Sequence, residues 1–341
     1  MNELHPISSF ILLLVVSATI GCNSKKVETF ELPVDGKLVY VEGIRGDGWI
    51  TANPFGELVM LNSRDQTRHV LTWDGFYYAH PNLTPDGKSL IFESKRAGNI
   101  GIAGLSADSD IYRMDLKTKD ITNLNHEISS YVGESIGHRI SNPSLSPTGS
   151  KLAMVRLVDW QFHLSYYDFE NKQIVDLTTD ENLKPMNDIR WSPDDEKLIY
   201  SIRRGFSSNI ILIDISNDDY KITAIESYSE DGEPYGCSAG SWLDNYRFIY
   251  SCTRPNSRYI KIFEYNLSDS SKNYSTILRT DFDFLLPSLI INKNGDNILF
   301  LGSRPGTNVA NIYMLNPVTG EMEQITFSDT DKRWLRWYEN L

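Results

Sequence analysis

The sequence predicts an all-β chain folded as a β-propeller of six four-stranded antiparallel blades, and three observations carry that prediction. The first is a recurring tight turn: Asp35, Asp86, Thr148, Asp194, Asp244 and Asn294 mark equivalent positions, at spacings of 51, 62, 46, 50 and 50 residues. Units of roughly 40–50 residues holding four strands are propeller blades, so six turns imply six blades. The second is what flanks each turn: apolar residues alternate on both sides, a pattern that places one face of each strand in a core. The third is composition: 11% of residues are aromatic, with 18 Tyr, which favours strands over helices.

The second copy shows the unit best. His80-Pro81-Asn82-Leu83 leads into the turn Thr84-Pro85-Asp86-Gly87, and Lys88 to Ser94 follows as an apolar strand. Asp110-Ile111-Tyr112-Arg113-Met114-Asp115 comes next, and Ile121-Thr122-Asn123-Leu124 closes the unit. Pro presets φ at the second turn position, while Asp, Asn and Gly tolerate the left-handed geometry of a tight hairpin. Copies three to six repeat the pattern from Asn142, Ile189, Ser241 and Asn292, the fifth being the weakest. In the first, Val34 to Val41 supplies the turn and second strand, with Glu57 to Leu61 and Arg68 to Thr72 after it. Its innermost strand has two candidates. Arg333 to Trp337, just past Ile325-Thr326, would tie the chain ends together and remove an open sheet edge. Thr29 to Leu32 is the other.

The runs S-P-D-G-K-x-L-I-F-x-S, N-I-Y-x-x-D and L-T resemble the WD40-like PD40 repeats of TolB-type propellers. Similar blades occur in prolyl-oligopeptidase-type peptidases and oligogalacturonate lyases. The resemblance covers about residues 30–341 and is specific for the blade rather than for an activity.

The N-terminus carries a different signal. Phe10 to Ile20 is an apolar run too short to span a bilayer, which needs about 20 residues, but of the length of a signal-peptide core. Thr19-Ile20-Gly21-Cys22 resembles a bacterial lipobox, with Thr19 standing where Leu is usual. The resemblance implies a signal peptide over 1–21 and a lipidated Cys22 with a tether over 22–33, ahead of the propeller that the repeat places over 34–341. An ordinary secretory signal with an incidental Cys22 is the competing reading. The expected location is the bacterial cell envelope, lipid-anchored, facing the periplasm or the cell surface. A net charge of −12 argues against a nucleic-acid partner, which would need clustered Lys and Arg.

Candidate sites follow from the blade frame. Gly236-Cys237-Ser238-Ala239-Gly240 matches the hydrolase pattern G-x-S-x-G, yet it opens a blade strand, no helix follows, and the last His is His163. Cys237 and Cys252 fall opposite each other across a hairpin, either as a disulfide or as two buried thiols. His80 and His138 precede the innermost strands of blades two and three, with Asn142, Asp188 and Asp283 at comparable entries. No compact metal-ligand spacing exists, so no metal and no cofactor is assigned. Three long segments, Gly43 to Gly56, Ala97 to Ser109 and Asn125 to Ser141, open on one face and carry Trp49, Phe55, Tyr131, Glu134, His138 and Arg139. The expectation is a non-catalytic lipoprotein binding an envelope protein or peptide through His80, Tyr131, Glu134, His138, Arg139, Asp188 and Asp283. The alternative is an oligogalacturonate-lyase-like enzyme holding a metal and an oligosaccharide at the channel mouth.

Overall fold

In the computed structural model, the described residues are 36–43, 56–96, 109–133, 135–136, 138–178, 180, 189–204, 207–217, 220–225, 236–253, 259–279, 284–292, 295–303, 306–307 and 309–339. The strands follow the repeat in chain order. The first group is β1 (Lys37–Gly43), β2 (Gly56–Asn62) and β3 (Thr67–Val70). Then come β4 (Tyr78–Leu83), β5 (Ser89–Ser94), β6 (Asp110–Asp115) and β7 (Ile121–Asn123). After the helix α1 (Leu124–Val132) run β8 (His138–Leu145), β9 (Lys151–Val158), β10 (Gln161–Asp168) and β11 (Gln173–Thr178). The fourth group is β12 (Arg190–Trp191), β13 (Lys197–Arg204), β14 (Ser207–Asp214) and β15 (Lys221–Ile225). The fifth is β16 (Gly236–Trp242), β17 (Arg247–Thr253), β18 (Tyr259–Asn266) and β19 (Ser271–Arg279). The last strands are β20 (Phe284–Ile291), β21 (Ile298–Ser303), β22 (Ala310–Leu315), β23 (Met322–Gln324) and β24 (Asp331–Tyr338).

Each group pairs antiparallel in chain order, and β24 takes the vacant first place beside β1. The β24–β1 register runs from Lys37 opposite Tyr338 to Gly43 opposite Asp331, so the final strand is longer than Arg333 to Trp337 alone. The fourth and fifth groups touch through a single parallel pair, Ser208 with Gly236, which joins them into one eight-stranded path.

The apolar pattern fills both faces of the sheets, where the sequence had pointed to one. On β1, Leu38 and Tyr40 enter one cluster while Val39 and Val41 enter another. On β5, Leu90 and Phe92 pack toward the first sheet and Ile91 toward the third. On β21, Ile298 and Phe300 face the fifth group, and Leu299 and Leu301 face the first sheet. Successive side chains alternate sides, so a sheet wedged between two neighbours reads as a near-continuous apolar run. Among the described residues six such clusters form, each between consecutive groups, and one of them joins the last to the first.

The first strands of neighbouring groups meet in the same cyclic order. They are joined by side chains rather than by a backbone ladder. The Leu83 amide donates to the Tyr338 hydroxyl at 2.9 Å, and Asn82 Nδ2 donates to the Pro143 carbonyl at 2.9 Å. Ser144 Oγ donates to the Ile189 carbonyl at 2.7 Å, and Trp191 Nε1 returns to the Ser144 carbonyl at 2.8 Å. Trp242 Nε1 donates to the Arg190 carbonyl and Ser241 Oγ to the Leu289 carbonyl, both at 3.2 Å.

A buried ion pair reinforces the β24–β1 contact. Lys332 Nζ lies 3.8 Å from Glu42 Oε1, Arg68 Nη2 donates to Glu42 Oε2 at 2.7 Å, and Thr330 Oγ1 donates to Glu42 Oε1. Burial alone would raise the Glu42 carboxyl, but Lys332, Thr330 and Arg68 together outweigh it and hold it below the ordinary 4.5.

Two outcomes are expected. Leu335, fully buried on β24 between the first and last sheets, should cost about 3 kcal/mol when changed to Ala, read by chemical denaturation. A carboxyl depressed in the folded state stabilises above its unfolded pKa and loses that contribution as pH falls through the folded value. Stability should therefore decline below about pH 4.5, and Glu42→Gln should flatten that acid limb while lowering stability at neutral pH by about 3 kcal/mol.

Candidate functional site

Strand direction defines two ends. The links entering each sheet and the connections between second and third strands open at one end, termed here the loop end. The tight β4–β5 and β6–β7 turns and their counterparts open at the other, the turn end.

Toward the loop end, three first strands are bulged with backbone in the left-handed region: His80 (φ 48°), Asn142 (φ 53°) and Trp334 (φ 52°). Each coincides with a break in pairing register, on β4, β8 and β24. Such a conformation is unfavourable for residues with a Cβ, and costs of order 1–3 kcal/mol concentrate where structure over-determines them. Two of the bulges, at His80 and Asn142, bring groups to one buried carboxylate, Glu93 of β5, and the third sets Trp334 against His80. Glu93 Oε2 accepts from the Asn142 amide at 3.0 Å and stands 3.9 Å from His80 Nε2. The His80 ring lies 5.4 Å from that of Trp334, and Tyr77 meets Trp334 edge-on at 5.9 Å. Burial first, and the charge of Glu93 second, push the Tyr77 hydroxyl well above its usual pKa, with Arg333 opposing. Tyr77 is therefore a neutral phenol at physiological pH. Asn82 locks the arrangement: its Nδ2 also donates to the His80 carbonyl at 2.7 Å, and its Oδ1 accepts from Leu145. This constellation can position and hydrogen-bond a ligand. Among the described residues no three His, Cys, Asp or Glu side chains are grouped to hold a metal ion.

The same end carries large exposed aromatics. Trp160 is 88% exposed at the tip of the two-residue β9–β10 hairpin, where Asp159 (φ 47°) and Trp160 (φ 65°) both have positive φ. That is the type I′ geometry for which Asn-Gly is the usual choice. Trp73 and Phe327, 66% and 68% exposed, occupy the links into β4 and β24, with Phe76 beside Trp73. Arg96 pairs with Asp74, donates to the Tyr78 hydroxyl at 3.1 Å and lies 5.0 Å over the Phe76 ring, bracing this link.

The residues singled out from sequence fall in several places. His80 is not a rim residue but a buried one, on β4 beneath the loop end. His138 and Arg139 begin β8 at the loop end. Tyr131 lies elsewhere. The segment Asn125 to Ser141, expected as an open loop, carries most of α1 and the start of β8, with Asn123 as N-cap and Gly133 as left-handed C-cap. On α1 the Tyr131 ring sits 4.5 Å below the Lys172 ammonium from the β10–β11 turn, away from His138. Glu134, Asp188, Asp283 and Cys22 lie outside the described residues, as do Trp49, Phe55, the intervening parts of the first two long segments, and the competing strand 29–32. Ser238 is buried within β16, with strand rather than helix after it. Cys237 and Cys252 are directly paired across β16 and β17, with Cα atoms 4.1 Å apart, and are joined as a disulfide. Glu93, Trp334 and Trp160 were not anticipated as site residues. The Asp-Trp pair between two alternating runs was the available signal for the last.

These features together define a β-propeller with a structured loop end. Neither a protein-family description nor a curated protein matches the sequence. Solved structures do resemble it. TolB from Acinetobacter baumannii aligns with a TM-score of 0.62 at 17% identity, over 89% of this chain and 66% of that one. The protein described as TolB from Agrobacterium tumefaciens gives 0.56 at 15% identity, over 89% and 98%. The β-propeller domain of the trilobed protease from Pyrococcus furiosus, described as having an open velcro topology, gives 0.50 at 15% identity over 86% and 83%. The chain thus spans just under two thirds of the Acinetobacter protein. Its fold is that of a TolB-like β-propeller.

Trp160→Gly removes the side chain that makes positive φ costly, at the expense of backbone freedom in the unfolded chain. Thermal unfolding of this variant is expected to match the wild type or exceed it by up to about 1 kcal/mol. A loss beyond about 1 kcal/mol would show the indole to be packed rather than presented.

Proposed function

We propose that the mature protein is a closed six-bladed propeller, lipid-anchored through Cys22 in a bacterial envelope, which binds a protein or peptide partner at its loop end without chemistry of its own. The observation that carries this reading is the loop end itself: Trp73, Phe76, Trp160 and Phe327 are exposed there, and Trp160 is held out on a hairpin whose geometry disfavours it. Aromatic anchors of this kind dominate protein interfaces, and a bulky residue kept in a strained turn without packing calls for a role outside the fold. Beneath them, Glu93, His80, Tyr77 and Trp334 supply a polar and aromatic floor for a group reaching toward the centre. Glu134, His138, Arg139, Asp188 and Asp283 would add polar contacts around the same opening, whereas Tyr131, held against Lys172, takes no part in it.

Six blades are supported by the six apolar clusters in cyclic order, and closure by the β24–β1 register. An oxidising compartment agrees with the Cys237–Cys252 bond. The resemblance to the two TolB structures supports the fold on which the proposal rests.

The test is affinity capture from detergent-solubilised membranes of the source cell, comparing wild type with a Trp73→Ala/Trp160→Gly variant of unchanged stability. At least a tenfold loss of one specific partner is expected, about 1.4 kcal/mol or more. Equal recovery of every captured protein by both would overturn the assignment of the loop end.

A further inference from the structure

The turn end holds a feature that the loop-end reading leaves unused. Between the second and third sheets lies a cavity of about 720 Å³, within the range of small-molecule and short-peptide sites. It lies where α1 enters the seam between these two sheets. Leu124 and Ile128 of α1 join Ile91, Ile111 and Tyr167 in the seam core, and the space beneath Leu124 is left open toward the tight turns.

The lining divides into two chemistries. Ile91, Leu145 and Phe169 give an apolar floor. Asp86 from the β4–β5 turn and Asp115 and Asp120 from the β6–β7 turn form the rim. Their own turns keep two of these carboxylates ionised: Asp86 sits below the ordinary value because Thr84 and the Lys88 amide donate to it, and Asp115 because the amides of Thr118 and Lys117 do. In each case Oδ1 is the atom that accepts the turn's hydrogen bonds. The one cation in the lining, Arg113, is already engaged by Glu127 at 2.9 Å. Lys88 reaches Asp86 only at 3.7 Å with both groups exposed, a contact worth little in water. Lys117 and Lys119, on the outer tip of the β6–β7 turn, do not line the cavity.

We propose that this cavity is a second binding site, for a basic peptide segment in which Lys or Arg side chains alternate with an apolar one. The apolar residue fills the floor over Phe169 and Ile91, and the flanking cations meet Asp86, Asp115 and Asp120. Charge complementarity selects this occupant: three rim carboxylates face one guanidinium that is already neutralised, so an acidic segment is repelled and an uncharged one gains only the floor. The protein is then two-ended, with aromatic recognition at the loop end and basic-segment recognition at the turn end of one seam.

The test uses the full mature chain and a fluorescein-labelled hexapeptide amide, Gly-Lys-Leu-Lys-Phe-Lys, with counterparts in which Glu or Ser replaces each Lys, read by fluorescence polarisation. The Lys peptide is expected to bind at least tenfold tighter than either counterpart, and to weaken as salt is raised. Asp115→Asn/Asp120→Asn, which keeps the turn acceptor, should cost at least tenfold, and Thr122→Trp, which fills the mouth from β7, should abolish binding. Binding that ignores these variants, equal binding of the Ser peptide, or no binding of the Lys peptide at millimolar concentration would overturn the proposal. Trp73→Ala/Trp160→Gly should leave peptide binding unchanged, and Asp115→Asn/Asp120→Asn should leave membrane capture unchanged, so the two sites fail independently.

Discussion

Burial of both faces of each sheet is the constraint on which the rest of this structure depends. A four-stranded sheet wedged between two others needs apolar side chains on alternate sides, and Leu38-Val39-Tyr40-Val41 and Ile298-Leu299-Phe300-Leu301 show the result. No sheet has a complete core of its own, so each depends on both neighbours. The first and last sheets meet the same requirement only through one another. That is why β24 pairs with β1 and why Lys332 and Glu42, charged groups that are costly to bury singly, are tolerated as a mutually satisfied pair at that junction.

The centre of the molecule obeys a second rule. First strands converge without forming a ladder with one another, so their exposed amides and carbonyls must be satisfied otherwise. Side chains provide the answer: Asn82, Ser144, Trp191, Ser241, Trp242 and Tyr338 each bridge to the adjacent first strand. The bulges at His80, Asn142 and Trp334 belong to the same solution, because they let the strands splay. They also aim His80 and the Asn142 amide at Glu93, so a packing requirement and a polar site arise from one set of backbone distortions.

Much of the architecture was legible in the sequence because it is local. The turns announce themselves through Pro, Asp and Gly at fixed offsets, the alternating runs locate the strands, and the hairpin register of Cys237 and Cys252 follows from counting out from one turn. The final strand was legible because it falls where the next first strand after β20 would begin. What escaped depends on neighbours distant in sequence. Glu93 reads as an ordinary charged residue near a strand end until Asn142, 49 positions later, is brought against it. His80 reads as a rim residue until the bulge turns it inward, where it meets Trp334. The α1 helix carried its own signals in Asn123 and Gly133, but lacked the long apolar periodicity that would have distinguished it from a linker.

The pairing of β24 with β1 also fixes an order in time. The second strand of the first sheet is among the first parts of this fold to be synthesised, and its inner partner is the last. Until Asp331 to Tyr338 emerges, Leu38, Tyr40, Val59 and Leu61 lack the cover of Leu335, and β1 presents an unpaired edge. A chain in which β24 is not yet seated therefore carries an adhesive edge beside β1, and completion of the first sheet rests on the docking of Asp331 to Tyr338.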